Sequence, residues 1–150
     1  MKPLYNDLQQ YLIDAECTTD RDCEVKKQVS GFFRNAGWTV YNTTQFCHFD
    51  LLIVKGNQEY LIEVKKRYCD STLYADNTCE VAKKEELEKL APLSQSILVS
   101  VYLDNVLRMS RFDWASHTAE KRANKQTYFS DKRKVNKNLI LFDKYIDYKL

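Results

Sequence analysis

Two carboxylates and a lysine lie on neighbouring segments that have the pattern of a β-hairpin. Asp50 stands near the start of one apolar run, Glu63 and Lys65 stand near the end of the next, and a Gly-Asn pair separates the two runs. A Gly-Asn pair in this position favours a tight two-residue turn. Counted back from that turn, Asp50 faces Glu63, and Lys65 shares their face because side chains two residues apart on a strand point the same way.

Facing carboxylates in an apolar hairpin require a compensating positive charge, because they repel each other and lose hydration. A divalent cation such as Mg²⁺ supplies that charge, lowers the pKa of a bound water and polarises a phosphoryl oxygen. Lys65 would then orient the attacking water or stabilise charge on a phosphate. The other interpretation is structural, with Lys65 alone neutralising the two acids at the end of the sheet. The hairpin by itself leaves both interpretations open.

The elements around the hairpin predict a mixed α/β sandwich with a central sheet. Both hairpin strands are apolar on both faces, which is typical of strands that are covered on both sides. Helical and strand periodicities predict the remaining elements. The predicted helices are Leu4–Leu12, Asp20–Ala36, Lys83–Ala91 and Asp113–Lys125, and the predicted strands are Trp38–Tyr41, Phe49–Lys55, Gln58–Lys66, Ile97–Leu103, Val106–Phe112 and Leu139–Phe142.

The chemistry-bearing residues resemble a known signature. Asp50, followed after the turn by the run IEVK at residues 62–65, is similar to the motif of the PD-(D/E)XK nuclease superfamily, although Phe49 stands where the signature has proline. The predicted helix from Lys83, placed ahead of the strand at Ile97, is most similar to archaeal Holliday-junction resolvases. The similarity covers residues 20–112 of the chain.

The resemblance implies a restriction-endonuclease-like α/β sandwich, with a central mixed sheet flanked by helices, that hydrolyses DNA phosphodiesters with Mg²⁺. Mn²⁺ is expected to substitute. It further implies that Asp50 and Glu63 are metal ligands and catalytic residues, that the Val64 carbonyl is a further ligand, and that Lys65 is the catalytic lysine. The helix glutamate of the superfamily would fall on Glu24, as an additional residue binding the metal or its water.

The expected organisation is one nuclease-like domain over residues 1–150, with a core at 20–112 and a basic extension at 113–150. Residues 121–137 hold seven Lys or Arg residues and one Asp, a net charge of +6 that suits a phosphate backbone. DNA is therefore the expected partner, and a four-way junction would call for a homodimer because the junction has two-fold symmetry. The residues expected to contact phosphate are Lys66, Arg67, Arg108, Arg111, Lys132, Arg133 and Lys134.

The composition favours a globular protein over a membrane-spanning one. Of the 150 residues, 44% are hydrophobic and 29% are charged, which suits one globular domain, and the sequence has no apolar run long enough to span a membrane. The number of cysteines, five, is odd, and no two of them have the CxxC spacing of a metal site. This pattern favours a reduced intracellular protein over one held together by disulfides. The sequence thus predicts a cytoplasmic protein of phage or prokaryotic type, without a membrane partner.

Two alternatives to an active nuclease follow from the same residues. One is a catalytically inactive protein of the nuclease fold that binds nucleic acid or a protein partner. The other is an unrelated α/β interaction protein with a chance motif. Retention of Asp50, Glu63 and Lys65 together favours activity, in DNA recombination, repair or restriction, with a protein partner for targeting as one way to select substrate.

Overall fold

The structure, a computed structural model, describes residues 1–13, 23–44, 47–119 and 138–150. These residues form three α-helices and ten β-strands. The helices are α1 (Tyr5–Leu8), α2 (Cys23–Asn35) and α3 (Val81–Glu88). The strands are β1 (Leu12–Ile13), β2 (Thr39–Thr43), β3 (Leu51–Lys55), β4 (Gln58–Lys66), β5 (Asn77–Glu80), β6 (Ser96–Val101), β7 (Val106–Arg111), β8 (His117–Ala119), β9 (Leu139–Phe142) and β10 (Ile146–Lys149).

The centre of the fold is a seven-stranded sheet with the strand order β1-β2-β3-β4-β6-β7-β10. Strands β4 and β6 run parallel, and every other neighbouring pair in this sheet is antiparallel. The sheet is therefore mixed, and the predicted α/β class is confirmed. A second sheet has the order β5-β9-β8.

The predicted register of the β3–β4 hairpin is confirmed. Lys55 pairs with Gln58 beside the turn, and the ladder runs back to the pair of Leu51 with Ile62. Gly56 has a φ of 61°, a left-handed conformation that a two-residue turn requires and that glycine adopts without a steric cost.

Apolar side chains cover both faces of the central sheet. Helix α2 packs Val25, Val29 and Phe33 against one face. The opposite face is covered by α1, α3 and the second sheet, with Leu87 and Phe142 among the buried side chains. Burial on both sides explains why the hairpin strands lack a polar face. It also makes a charged side chain inside this hairpin costly unless it is paired.

The C-terminal third departs from the predicted elements. The predicted helix at Asp113–Lys125 is wrong for the residues that the structure describes, since a 3-10 turn at Phe112–Trp114 leads into strand β8, and residues 120–125 lie outside the described ranges. β8 pairs with β9, and that partner is distant in sequence. The segment Leu139–Phe142 is a strand as predicted, but β10 follows it.

The first predicted helix, Leu4–Leu12, is only partly helical, because α1 gives way to a 3-10 turn and then to β1. Residues 138–150 are integral to the fold, since they supply β9 to the second sheet and β10 to the central sheet. Among the described residues, no helix is both long and apolar enough to cross a membrane.

Candidate active site

Asp50 lies where β3 begins and is held from two sides by backbone atoms of β4. Its N–H donates to the Ile62 carbonyl at 2.9 Å. Its carboxylate Oδ2 accepts from the Val64 N–H at 2.7 Å. The Asp50 carboxylate thus accepts a hydrogen bond that a backbone carbonyl of the neighbouring strand would accept in a regular sheet, and it lies next to Glu63. The sequence-predicted neighbours Asp50 and Glu63 are brought together by this arrangement.

Glu63 is the buried acid of the pair, with 4% of the residue exposed. Burial, and after it the neighbouring charge of Asp50, raise its pKa from 4.5 to about 8, against the opposing effects of Lys65 and Lys83. An apolar surrounding disfavours the charged carboxylate, and a second negative charge nearby adds to that effect. Two acids in such surroundings form a strong acceptor for a cation.

Lys65 lies on the same face of β4 as Glu63. Its Nζ is 3.5 Å from Glu63 Oε1, and about a third of the side chain is exposed. The neighbouring Lys66 points to the opposite face, where its Nζ lies 5.4 Å from the centroid of the Tyr68 ring. Strand geometry therefore separates two adjacent lysines, and only Lys65 reaches the acid pair.

Two further lysines, which sequence reasoning missed, flank the acid pair. Lys26 of α2 places its Nζ 3.3 Å from Asp50 Oδ1. Lys83 of α3 places its Nζ 3.8 Å from Glu63 Oε2. We call Lys26 and Lys83 the flanking lysines. They come from helices on opposite faces of the sheet, so no local sequence pattern could have linked them to the acids.

Glu86 and the backbone of His48 also hold Lys83 in place. Its Nζ is 3.2 Å from Glu86 Oε2, one helical turn on, and donates to the His48 carbonyl at 3.3 Å. His48 Nδ1 in turn lies 3.3 Å from the same Glu86 oxygen. Burial would lower the pKa of Lys83, but Glu63 and Glu86 outweigh it and raise the pKa. Lys83 is therefore a cation across the physiological pH range.

Glu24 is not brought to the acid pair. Its side chain is 88% exposed and lies 4.0 Å from Lys27 Nζ. Lys26 occupies the sheet-facing position instead. Residues two apart on a helix are separated by about 200° around the axis, so Glu24 points away when Lys26 points towards Asp50.

The arginines predicted to contact phosphate each have partners within the protein. Arg108 is 3% exposed and makes a two-bond ion pair with Asp147, so the prediction of a rim contact is wrong for it. Arg67 donates to Ser100 Oγ and to the Thr78 carbonyl. Arg111 pairs with Asp113 at the surface. The remaining candidates, Lys132, Arg133 and Lys134, lie outside the described residues.

The donor set suits a small hard cation. Asp50 and Glu63 offer carboxylate oxygens side by side, and the backbone of Val64 adjoins both. Across the described ranges, no cluster of three or more His, Cys, Asp or Glu side chains forms a denser site. A site with two carboxylates fits Mg²⁺, which keeps several of its waters, better than it fits Ca²⁺ or Zn²⁺.

The fold has a solved counterpart. No protein-family model and no curated protein matches the sequence. The structure is similar to that of Archaeoglobus fulgidus Hjc, a Holliday junction resolvase from an archaeal hyperthermophile, with a TM-score of 0.54, 14% identity, and coverage of 83% of this chain and 84% of that chain. At this identity the likeness establishes a shared fold: a central mixed sheet in a resolvase-like α/β architecture.

Proposed function

We propose that this chain is a divalent-metal-dependent nuclease of the PD-(D/E)XK type that hydrolyses DNA phosphodiester bonds. The observation that carries the proposal is the pair of Asp50 and Glu63, with Glu63 buried and Lys65 beside it on the same strand face. A purely structural role gives no reason to bury an acid next to another acid, because this costs stability. Function is a common reason for keeping such a pair.

The two carboxylates would hold the metal, and we add the Val64 carbonyl as a further ligand. When bound, Mg²⁺ would polarise a phosphoryl oxygen and lower the pKa of a coordinated water. The Val64 N–H fixes the rotamer of Asp50, so the ligand is oriented before the metal arrives. Glu24 is left out of the proposed ligand set because its side chain points into solvent.

Lys65 would act on the phosphate or on the attacking water. Its side chain is partly exposed, so the ammonium can reach a substrate that lies over the carboxylates. Held by Glu63 on one side, Lys65 can donate to a non-bridging phosphate oxygen or orient the water through a hydrogen bond.

The proposed substrate class is DNA, with branched DNA as the first candidate, because the fold is similar to that of a Holliday junction resolvase. A four-way junction has two-fold symmetry, so an enzyme that cuts it symmetrically needs two sites, and we propose a homodimer for that case. The same site would serve a repair or restriction nuclease, with a protein partner to select the substrate.

One observation favours a second candidate, a catalytically inactive DNA-binding protein of the same fold. The flanking lysines already lie beside the carboxylates that a metal would need. A site that is neutralised internally can persist as a structural cluster. The inactive protein would bind DNA but would neither bind Mg²⁺ nor cut.

A cleavage panel tests the proposal. Labelled linear duplex, single strand, flap and four-way junction DNA would be incubated with the protein in Mg²⁺, Mn²⁺ or EDTA, with Glu63→Ala as the control. The proposal predicts cutting that needs metal and is lost in Glu63→Ala, with the preferred DNA identifying the role. DNA binding without cutting of any substrate would favour the inactive protein.

A further inference from the structure

The flanking lysines approach the acid pair from opposite layers of the fold. Lys26 reaches Asp50 from α2, and Lys83 reaches Glu63 from α3. Their side chains are 14% and 22% exposed, so both are largely covered but not fully buried. Long unbranched lysine stems let an ammonium move by several ångströms without a change in the backbone.

The net positive charge around the acids grows when a divalent cation binds. Asp50 and Glu63, when ionised, carry two negative charges against the three positive charges of Lys65 and the flanking lysines. A divalent cation on the carboxylates would neutralise both acids, so the excess of positive charge would rise from one to three. Like charges in a partly buried site are costly, so the excess calls for an anion. A phosphodiester is the anion that the proposed function would bring there.

We infer that Lys26 and Lys83 are exchangeable counter-cations: each holds one carboxylate while the site lacks metal, and each turns to the phosphate backbone of the nucleic acid once the metal has bound. The inference rests on the proposed function and assigns two residues to it. Glu86 and the His48 carbonyl keep Lys83 at the site after it loses Glu63 as a partner, so its ammonium stays within reach of the substrate.

The sequence provides a matched control for each flanking lysine. Lys84 follows Lys83 on α3 but lies 3.7 Å from Glu88 instead of Glu63. Lys27 follows Lys26 on α2 but lies beside Glu24. Replacing a control lysine changes the net charge of the protein by the same amount as replacing its neighbour, while the ion pairs at the carboxylates stay intact.

The first test measures metal affinity without DNA. Mn²⁺ would be titrated calorimetrically at pH 8.5 into wild type, Lys83→Met, Lys84→Met, Lys26→Met and Lys27→Met. Removing a like charge next to the metal should tighten Mn²⁺ binding about 3- to 10-fold for the flanking variants, and the controls should stay within about twofold of wild type. Lys83→Arg keeps the charge and should bind as wild type does. Thermal melting would verify that each variant is folded.

The second test measures DNA binding as a function of salt in a Lys65→Ala background, which keeps both carboxylates while suppressing cleavage. In Mg²⁺, Lys83→Met should reduce the slope of log affinity against log salt by about 0.9, the loss of one phosphate contact, and Lys84→Met should not. In EDTA, the two variants should have the same slope, because Lys83 then pairs with Glu63.

The outcomes separate this inference from the proposed function. If wild type binds Mn²⁺ and the flanking variants bind it with equal or lower affinity, the exchange of cations is overturned and the nuclease proposal stands. Absence of Mn²⁺ binding in wild type would overturn both. Tighter Mn²⁺ binding with an unchanged salt slope would overturn the phosphate contact.

Discussion

At the scale of single residues, Glu63 couples the chemistry of the site to the stability of the protein. Its pKa is raised from 4.5 to about 8 in the metal-free fold. Between these two pH values the folded protein holds a proton that the unfolded chain releases. Stability therefore falls as pH rises through this window, because the folded state binds more protons than the unfolded state does. The contribution of Glu63 to the stability is highest below pH 4.5 and is lost as the pH rises to about 8.

Glu63→Gln should for this reason stabilise the metal-free protein at alkaline pH. In EDTA at pH 8.5, urea unfolding should show the variant more stable than wild type by about 1–3 kcal/mol, and the difference should shrink towards pH 5. Glu85→Gln, at an exposed position on α3, is the control and should leave the pH dependence unchanged. A difference that is constant with pH, or of opposite sign, would refute the assigned shift.

Local rules predict the part of the site that lies on one hairpin. A two-residue turn fixes the register up to the pair of Leu51 with Ile62, which brings Asp50 next to the strand that carries Glu63 and Lys65. The flanking lysines depend instead on how far each helix is shifted along the sheet. The apolar pattern of α2 predicts Val25 and Val29 facing inward but does not say which residue of its first turn lies over Asp50.

At the scale of elements, Arg108 ties the last strand to the loop between β4 and β5. Its guanidinium makes two hydrogen bonds to Asp147 of β10. It also donates to the carbonyls of Ser71, Tyr74 and Asp76. The surrounding Tyr102 and Tyr145 rings complete its enclosure. Arg108 stands between Leu107 and Met109 in the sequence, which gave no signal of this role, because the burial depends on partners far along the chain.

Arg108→Met should therefore destabilise the fold without weakening DNA binding directly. Removing one partner of a buried ion pair and leaving several carbonyls unpaired should lower the free energy of unfolding by about 3–5 kcal/mol. Arg111→Met removes a surface pair with Asp113 and should cost no more than about 1 kcal/mol. Chemical denaturation measures both. Wild-type stability of Arg108→Met together with weakened DNA binding would restore the phosphate contact predicted from sequence.

After Phe112, the local sequence pattern does not predict the secondary structure. Strand β8 is three residues long and is stabilised by pairing with β9, which lies across a stretch outside the described residues. Periodicity over a short window contains no information about such a distant partner, so the segment was predicted to be helical. Strand β10 is exposed along its length, although Ile146 and Tyr148 alternate with Asp147 and Lys149 as strand residues do.

At the scale of the whole molecule, the order of helices and strands was sufficient to predict the α/β class. The mixed sheet and its covering elements are similar as a whole to the structure of the archaeal resolvase. The covering of each sheet face was not predictable in detail, because the second sheet assembles from three separate segments of the chain. At 14% identity the two sequences share this arrangement and few side chains.

We expect the basic stretch at residues 121–137 to contribute to DNA affinity and not to the cleavage step. Replacing Lys132, Arg133 and Lys134 together by Gln should weaken DNA binding and reduce the salt slope by about 2–3, while the rate of cutting at saturating DNA stays near that of wild type. A triple Gln variant of Lys2, Lys84 and Lys89 carries the same charge change and is the control. Equal losses in the two variants would show a nonspecific effect of net charge.

The central claim is that Lys65, and not merely a basic surface, performs chemistry beside Asp50 and Glu63. The most direct measurement is the single-turnover cleavage rate of Lys65→Met and Lys66→Met, in Mg²⁺ and in EDTA, on the DNA that wild type cuts fastest. Loss of one preorganised stabilising group should slow Lys65→Met by about 10²- to 10³-fold, and Lys66→Met, on the opposite face, should stay within about threefold of wild type. Equal rates for the two variants, or cutting that persists in EDTA, would contradict the assignment.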